Sequence, residues 1–362
     1  MACFVRSILF AMSCLLFCGC QTTVRGPAWY ETEKGNAGPA TEAEKVSVLR
    51  QSLVLLARLH DAQFLVMHGA ATFCPGRTHL LLGIAYSNGA SFGADYESAA
   101  AEVLGSADRV TITHVAVNSP AEAAGIRQGD VIQAIGYSAV ENGTGSVGSA
   151  LGLINAGMMP GAGLNMKLDR AGQPVVAKPV PVPACDFPVM VQPNQVVDIE
   201  NDGSIYLTSG MLRYVADSDE LAVLLAHALA HHLLNHPAIL AQSKAQGEAA
   251  GVVPDLLIVV PLDLLMGGNV GPVFTTLGGV AAVASVRPGL EIEADRLSLY
   301  ILANGGFDMT KATEVWQRIA KAPSWEMAVS RFHPVTEERI RLMQATIAEI
   351  ARKRAAGLPL KP

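Results

Sequence analysis

Five side chains in the C-terminal half have the types and spacing that bind a metal. His227 and His231 stand four apart in the apolar run LLAHALAHHLLNH, residues 224–236. On a helix, residues four apart share one face, so both imidazoles point the same way. Neutral imidazole is a good zinc ligand, and two on a rigid helix are preorganised. Such a pair alone is more often structural than metallic. The segment SVRPGLEIEADRLSLYILANGGFD, residues 285–308, adds to it, because Glu291 and Asp295 are again four apart. Glu291 can supply a third ligand, giving a His-His-Glu site with one open position. Asp295 can accept a hydrogen bond from a ligand histidine and fix its tautomer. Glu293 points away from that face, toward solvent or a salt bridge. His333, in RFHPVTEERI (331–340), stands just before a further helix.

Several elements must position these groups. Asp217, with Glu220 three residues later, caps the helix that carries the two histidines. DIENDGSIYLTSGML, upstream, has the pattern of a hairpin with an Asp-Gly turn. Thr41 and Glu44 form a capping box ahead of a helix whose buried side holds Val48, Leu49, Leu53, Leu56 and Leu59. Residues 264–286 run for 23 positions without a charge. That length raises a spanning helix. Five glycines, a proline and an asparagine within it favour buried or membrane-facing helices instead. A span would also put His227 and Glu291 on opposite sides of a membrane unless the chain returned.

The chain of 362 residues is 50% apolar and 16% charged, with a formal net charge of −6. The length fits about two domains. No basic stripe interrupts the acidic balance, so nothing points to a nucleic-acid partner. Arg6 followed by the apolar run Ile8–Phe17 has the layout of an export signal over residues 1–19, and residues 20–40 have the composition of a tether. The sequence LLFCGC then QTT resembles a bacterial lipobox with Cys20 as the lipidated residue; Cys18, or a plain signal peptide cut nearby, is the other reading. Gln21 after that cysteine suggests the outer membrane, with the body facing the periplasm, and acyl chains at Cys20 would anchor it without a spanning helix. Beyond this segment only Cys74 and Cys185 remain, either as one disulfide of an oxidising compartment or as two buried thiols.

Residues 78–182 have the pattern of a separate, strand-rich module. THLLLGIAY predicts a short strand around Gly83, RVTITHVAVNSPAEAAGIRQGDVIQAIGYSAV a strand, a short helix and another strand, and GAGLNMKLDRAGQPVVAKPVPV a hairpin. This module resembles a PDZ domain of the bacterial envelope-protease type, most closely in NSPAEAAGIRQGDVI. The resemblance implies that the loop Leu82, Gly83, Ile84 presents backbone N–H groups to a peptide C-terminus, with the peptide adding a strand to the sheet edge. A module that only packs on its host is the alternative. Cys74 and Cys185 bracket it closely, as a staple across an insertion would.

HxxxH on a helix, E-x-E-A-D sixty residues on and H-P-x-x-x-E-R-I after that resemble zinc metallopeptidase family 48, the HtpX/BepA-type gluzincins, in a branch with an inserted PDZ domain. The resemblance extends over essentially the whole chain after the tether. It implies an α+β fold: a mainly helical gluzincin-like peptidase core with a small sheet, split into residues 41–77 and 183–362 by the β-rich PDZ domain. It implies one Zn²⁺ on His227, His231 and Glu291, with Asp295 behind them. His333 matches a place from which, in some members, a histidine plugs the zinc or assists in the transition state. The departure is Ala228, where the family has the Glu that takes and returns a proton. Losing a general base costs about 10²–10⁴-fold in rate. The sequence therefore favours a zinc-binding pseudopeptidase that engages unfolded or misassembled envelope polypeptides. The alternatives are an active periplasmic zinc metalloendopeptidase of protein quality control and a PDZ-led peptide-binding scaffold.

Overall fold

The computed structural model describes residues 41–192, 199–201, 204–250, 277–322 and 333–362. The leader, Cys20, the tether and most of the uncharged stretch 264–286 lie outside these residues. No helix among the described residues is long and apolar enough to cross a membrane.

Helix α1 (Glu42–Gly69) begins at the expected capping box: the Thr41 hydroxyl accepts from the Glu44 N–H at 3.3 Å, and the Glu44 carboxylate accepts from the Thr41 N–H at 3.1 Å. Its buried residues shift along its length. Val46, Val48 and Leu49 join a small cluster with Phe92, Tyr96, Ala99 and Ala100, whereas Leu59 to Ala70 belong to the main core. Leu53 and Leu56 are half-buried.

The single strand expected around Gly83 is two strands, β1 (Thr78–Leu81) and β2 (Ile84–Ser87), in different sheets. Gly83 makes the break. Its φ of +78° belongs to the left-handed region, and a Cβ there would come within 2.3 Å of the Ser119 Cβ. The chain continues through α2 (Glu97–Leu104), β3 (Thr111–Val115), α3 (Pro120–Ala123), β4 (Val131–Ile135), β5 (Ser138–Ala139), α4 (Ser146–Gly157), β6 (Met166–Arg170) and β7 (Gln173–Ala177). These strands form one antiparallel sheet in the order β2-β3-β4-β6-β7, with β5 on β4. Its core is its own, built from residues such as Leu82, Ile112, Ile132, Met166 and Leu168.

Strand β8 (Val182–Cys185) returns antiparallel to β1, pairing Leu81 with Val182 and Thr78 with Cys185. A disulfide joins Cys185 to Cys74, with Cα atoms 5.5 Å apart. Chain entry and exit of the intervening segment are thus held together. A second tie is polar: the Asp61 carboxylate on α1 accepts from His114 Nε2 at 2.7 Å and from the Val117 N–H at 3.1 Å.

A three-stranded sheet follows, from β9 (Val189–Gln192), β10 (Ile199–Asn201) and β11 (Ile205–Thr208). β10 and β11 make the expected hairpin, and β9 runs parallel to β11 on its other side. Then come α5 (Ser209–Tyr214), α6 (Ser218–Leu233), α7 (His236–Ala250), α8 (Leu277–Gly305), α9 (Thr310–Lys321) and α10 (Glu337–Ala355). Asp217 caps α6, accepting from the Glu220 N–H at 2.9 Å; the Glu220 carboxylate accepts from the Ala216 N–H at 2.6 Å. Every residue of α6 from Leu221 to His231 is buried, as in a helix enclosed by others on all sides. Helices α1 and α8 cross it and each other. At that crossing the backbones touch: a Cβ on Gly69 would lie 2.4 Å from the Ile301 carbonyl oxygen.

Two outcomes follow. Gly69→Ala must push two backbones apart and should destabilise the fold by about 1–3 kcal/mol, read from urea melts; an unchanged midpoint would mean the helices do not meet there. Maleimide should label Cys74 and Cys185 only after reduction, and Cys74→Ser should cost about 2–4 kcal/mol.

Candidate metal centre

A buried polar cluster assembles from four elements. α6 brings His227 and His231, α8 brings Glu291 and Asp295, the segment before α10 brings His333, and α10 itself brings Arg339. His227, His231, Glu291 and His333 are at most 6% exposed. Their donor atoms all lie within 4.8 Å of one another. His227 Nε2 is 3.0 Å from His231 Nε2, 3.1 Å from His333 Nδ1 and 3.3 Å from Glu291 Oε2. Glu291 Oε2 is 3.1 Å from His333 Nδ1, and Oε1 is 3.5 Å from His231 Nε2.

These separations fit a small cation. In a tetrahedral site with bonds of about 2.1 Å, neighbouring donors stand about 3.4 Å apart. Three imidazoles and one carboxylate are a nitrogen-rich set, suited to zinc and unsuited to calcium or magnesium. The protonation pattern agrees. Burial holds His231 and His333 below the usual imidazole range, so their lone pairs are available. For His227, burial is outweighed by Asp295 and Glu291, which raise it.

Behind the donors lies a second layer. Arg339 donates from Nε and Nη2 to the two oxygens of Asp295 at 2.7 and 2.8 Å, and its Nη1 lies 3.2 Å from Glu291. Burial alone would raise both carboxylates; Arg339 and His227 hold Asp295 below its usual range, and His333 and His227 do so for Glu291. His227 Nδ1 is 3.0 Å from Asp295 Oδ1, at ion-pair distance but off hydrogen-bond geometry. The α9 residue Trp316 packs edge-on to His227 at 4.8 Å and receives the Arg339 guanidinium on its face at 4.8 Å. Nδ1 of His231, the nitrogen turned from the centre, meets His236 Nδ1 at 2.9 Å, and His236 Nε2 meets Glu293 at 3.3 Å. With His231 Nε2 turned to the centre as a lone pair, its Nδ1–H donates to His236, whose Nε2–H donates to Glu293.

Residues 196–347 match peptidase family M48. All six residues of the cluster fall within that segment. The chain is 29% identical over 149 residues to the beta-barrel assembly-enhancing protease of Yersinia pestis, covering 38% of this chain and 29% of that protein. It is 26% identical over 155 residues to the mitochondrial metalloendopeptidase OMA1 of Schizosaccharomyces pombe, covering 42% of this chain and 43% of that one. The chain therefore spans under half the length of these curated relatives. Among solved structures, the PDZ domain of HtrA3 bound to a phage-derived ligand aligns at 18% identity and a TM-score of 0.22, over 30% of this chain and 88% of that chain. The M48 segment is thus homologous to metallopeptidases, and it holds a buried His-His-Glu-His group that can bind a metal.

The structure brings together His227, His231, Glu291, Asp295 and His333. Ala228, fully buried, sits next to His227 on α6 and contributes only a methyl group. The open fourth position expected from the three-ligand pattern is taken by His333 Nδ1. His232 is turned away, its ring tilted against that of Phe187 with centroids 4.5 Å apart and planes at 41°. Three participants were not singled out from the sequence: Arg339, Trp316 and His236. Arg339 had a signal, since it is the arginine of HPVTEERI and follows the Thr336 cap, which accepts from its N–H at 3.2 Å. Trp316 and His236 had none beyond their type.

Leu82, Gly83 and Ile84 lie elsewhere, on an open cleft between β2 and α4, lined by Ile84, Tyr86, Leu151, Ile154 and Met158. β2 is an edge strand among the described residues. The Leu82 and Gly83 carbonyls accept from the N–H groups of Ala121 and Ala116 at 3.0 and 2.9 Å. Among the described residues their own N–H groups have no partner.

The purified protein should carry one zinc per chain by elemental analysis, lost in Glu291→Ala, and chelator should lower its melting temperature; a metal-free protein indifferent to chelator would exclude the site. Arg339→Leu strands two buried carboxylates and should cost about 3–5 kcal/mol, well beyond any surface ion pair.

Proposed function

We propose that this protein is a zinc-binding metallopeptidase homologue whose own hydrolytic power is impaired, a pseudopeptidase that engages polypeptides rather than cutting them efficiently. One observation carries it: the residue beside His227 is Ala228, and the fourth donor position beside it is filled by His333. Zinc, when bound, would polarise a peptide carbonyl as a Lewis acid. The rest of peptide hydrolysis is proton transfer. A base must lie within about 3 Å of the proton it takes and must later return it to the leaving amine. The Ala228 methyl can do neither. His232 is committed to Phe187. His333 Nδ1 faces Glu291 and His227, and it occupies the space that a carbonyl would need. All four donors are at most 6% exposed.

Three further parts of the reading rest on sequence and on the cleft. The module around residues 78–182 acts as a PDZ domain, for which the free edge of β2 and the unpartnered N–H groups at Leu82 and Gly83 supply the means. The partners are unfolded or misassembled envelope polypeptides, which the name of the Yersinia pestis relative supports. Lipidation at Cys20 holds the protein to the outer membrane, facing the periplasm.

The deciding assay compares proteolysis of an unfolded substrate by the wild-type chain, Ala228→Glu, and Ala228→Glu with His333→Ala. Restoring the proton carrier should raise the rate by about 10²–10⁴-fold, abolished by chelator. Chelator-sensitive cutting by the unmodified chain at a comparable rate would make it an active metalloendopeptidase and would overturn the proposal.

A further inference from the structure

The cleft beside β2 is not walled by the strand module alone. Helix α1, which belongs to the other part of the chain, lines it with His60, Gln63 and Phe64. These three share one helical face by their spacing. Phe64 reaches the bend, its Cδ2 lying 3.3 Å from where a Gly83 side chain would begin. The His60 ring faces the Gly83 carbonyl, and burial first, then His114, holds it neutral with a pKa lowered to about 4. Between them Gln63 is 4% exposed, and its amide nitrogen has no hydrogen-bond partner. A buried amide donor left unpaired is costly, and native structures seldom keep one without a use. The same end of the cleft holds two further unpaired donors, the N–H groups of Leu82 and Gly83. His79 lies along the cleft as well, with unpartnered ring nitrogens, but it sits 3.6 Å from the Asp186 carboxylate, which disfavours an anion there.

We propose that Gln63 completes a carboxylate cradle, donating from Nε2 to the free C-terminus of a bound peptide beside the N–H groups of Leu82 and Gly83. The ligand is a peptide with an uncharged, apolar last residue, because Leu82, Ile84, Ile154 and Met158 surround the cradle. This rests on the peptide-binding reading of the module and adds to it a specificity residue from outside that module. α1 also packs on α6 and α8, so the ligand's terminus touches the helix on which the metal-bearing helices rest. A bare sheet edge would not discriminate strongly between a free and a blocked C-terminus; a cradle of three donors does.

The test uses the full chain and fluorescein-labelled heptapeptides ending in Val, Leu or Phe, each as free acid and as C-terminal amide, read by anisotropy. The wild-type protein should prefer the acids. Gln63→Leu should weaken the acids about tenfold and leave the amides unchanged, as expected for one hydrogen bond to a charged group. Gln63→Met, unbranched and closer in shape, should reproduce that loss if Gln63→Leu disturbs the fold. Preference for acids that neither substitution reduces would overturn the role of Gln63 and leave the peptide-binding reading standing. Equal binding of acids and amides would overturn the cradle and leave peptide binding at the sheet edge standing; no binding would overturn both.

Discussion

Everything in the C-terminal half is arranged around a problem of buried charge. Two carboxylates, three imidazoles and a guanidinium are withdrawn from water at one point, and groups of this kind stay inside only when they are paired or bound to a metal. Arg339 pairs with Asp295, and Asp295 faces His227. The four donor atoms that remain turn toward one another at separations that suit a zinc ion. Without the arginine the two carboxylates would lose their buried partner in a dry interior. The centre therefore knits α6, α8 and α10 together.

Long helix α1 is the second organising element. Its N-terminal turns pack on α2, its middle holds the strand module through Asp61, and its end crosses α8 where Gly69 removes any side chain. The disulfide at Cys74 and Cys185 and the β1-β8 ladder fix the same junction from the other side. The strand module is consequently seated against the helix rather than suspended from it. That seating is what places Gln63 in the cleft, in contact with residues the module contributes.

Metallopeptidase chemistry needs a metal, a proton carrier and access. The metal donors are present; on the reading proposed here Ala228 supplies no proton carrier and His333 Nδ1 sits among the donors, and both act against cleavage. The cleft beside the β2 edge supplies, on the same proposal, the means to hold a polypeptide. Recognition retained where cleavage is impaired is the logic of the function proposed here.

Local features were legible in the sequence because they depend on neighbours in the chain. The capping boxes, the i, i+4 spacing of His227 with His231 and of Glu291 with Asp295, and the β10-β11 hairpin each follow from backbone geometry over a few residues. The alanine at 228, beside the first histidine of the pair, was visible without any coordinates. What lies far apart in sequence was decided by packing alone. No local rule carries Arg339 to Asp295, 44 positions away, or brings His333 to the donors of His227 and Glu291. The strand at Gly83 was divided because two sheets compete for it and only a residue without a Cβ can bend beside Ser119. Gln63 is the clearest case. In the sequence it is one polar residue on an amphipathic helix, and only the docking of a second module against that helix buries its amide without a partner.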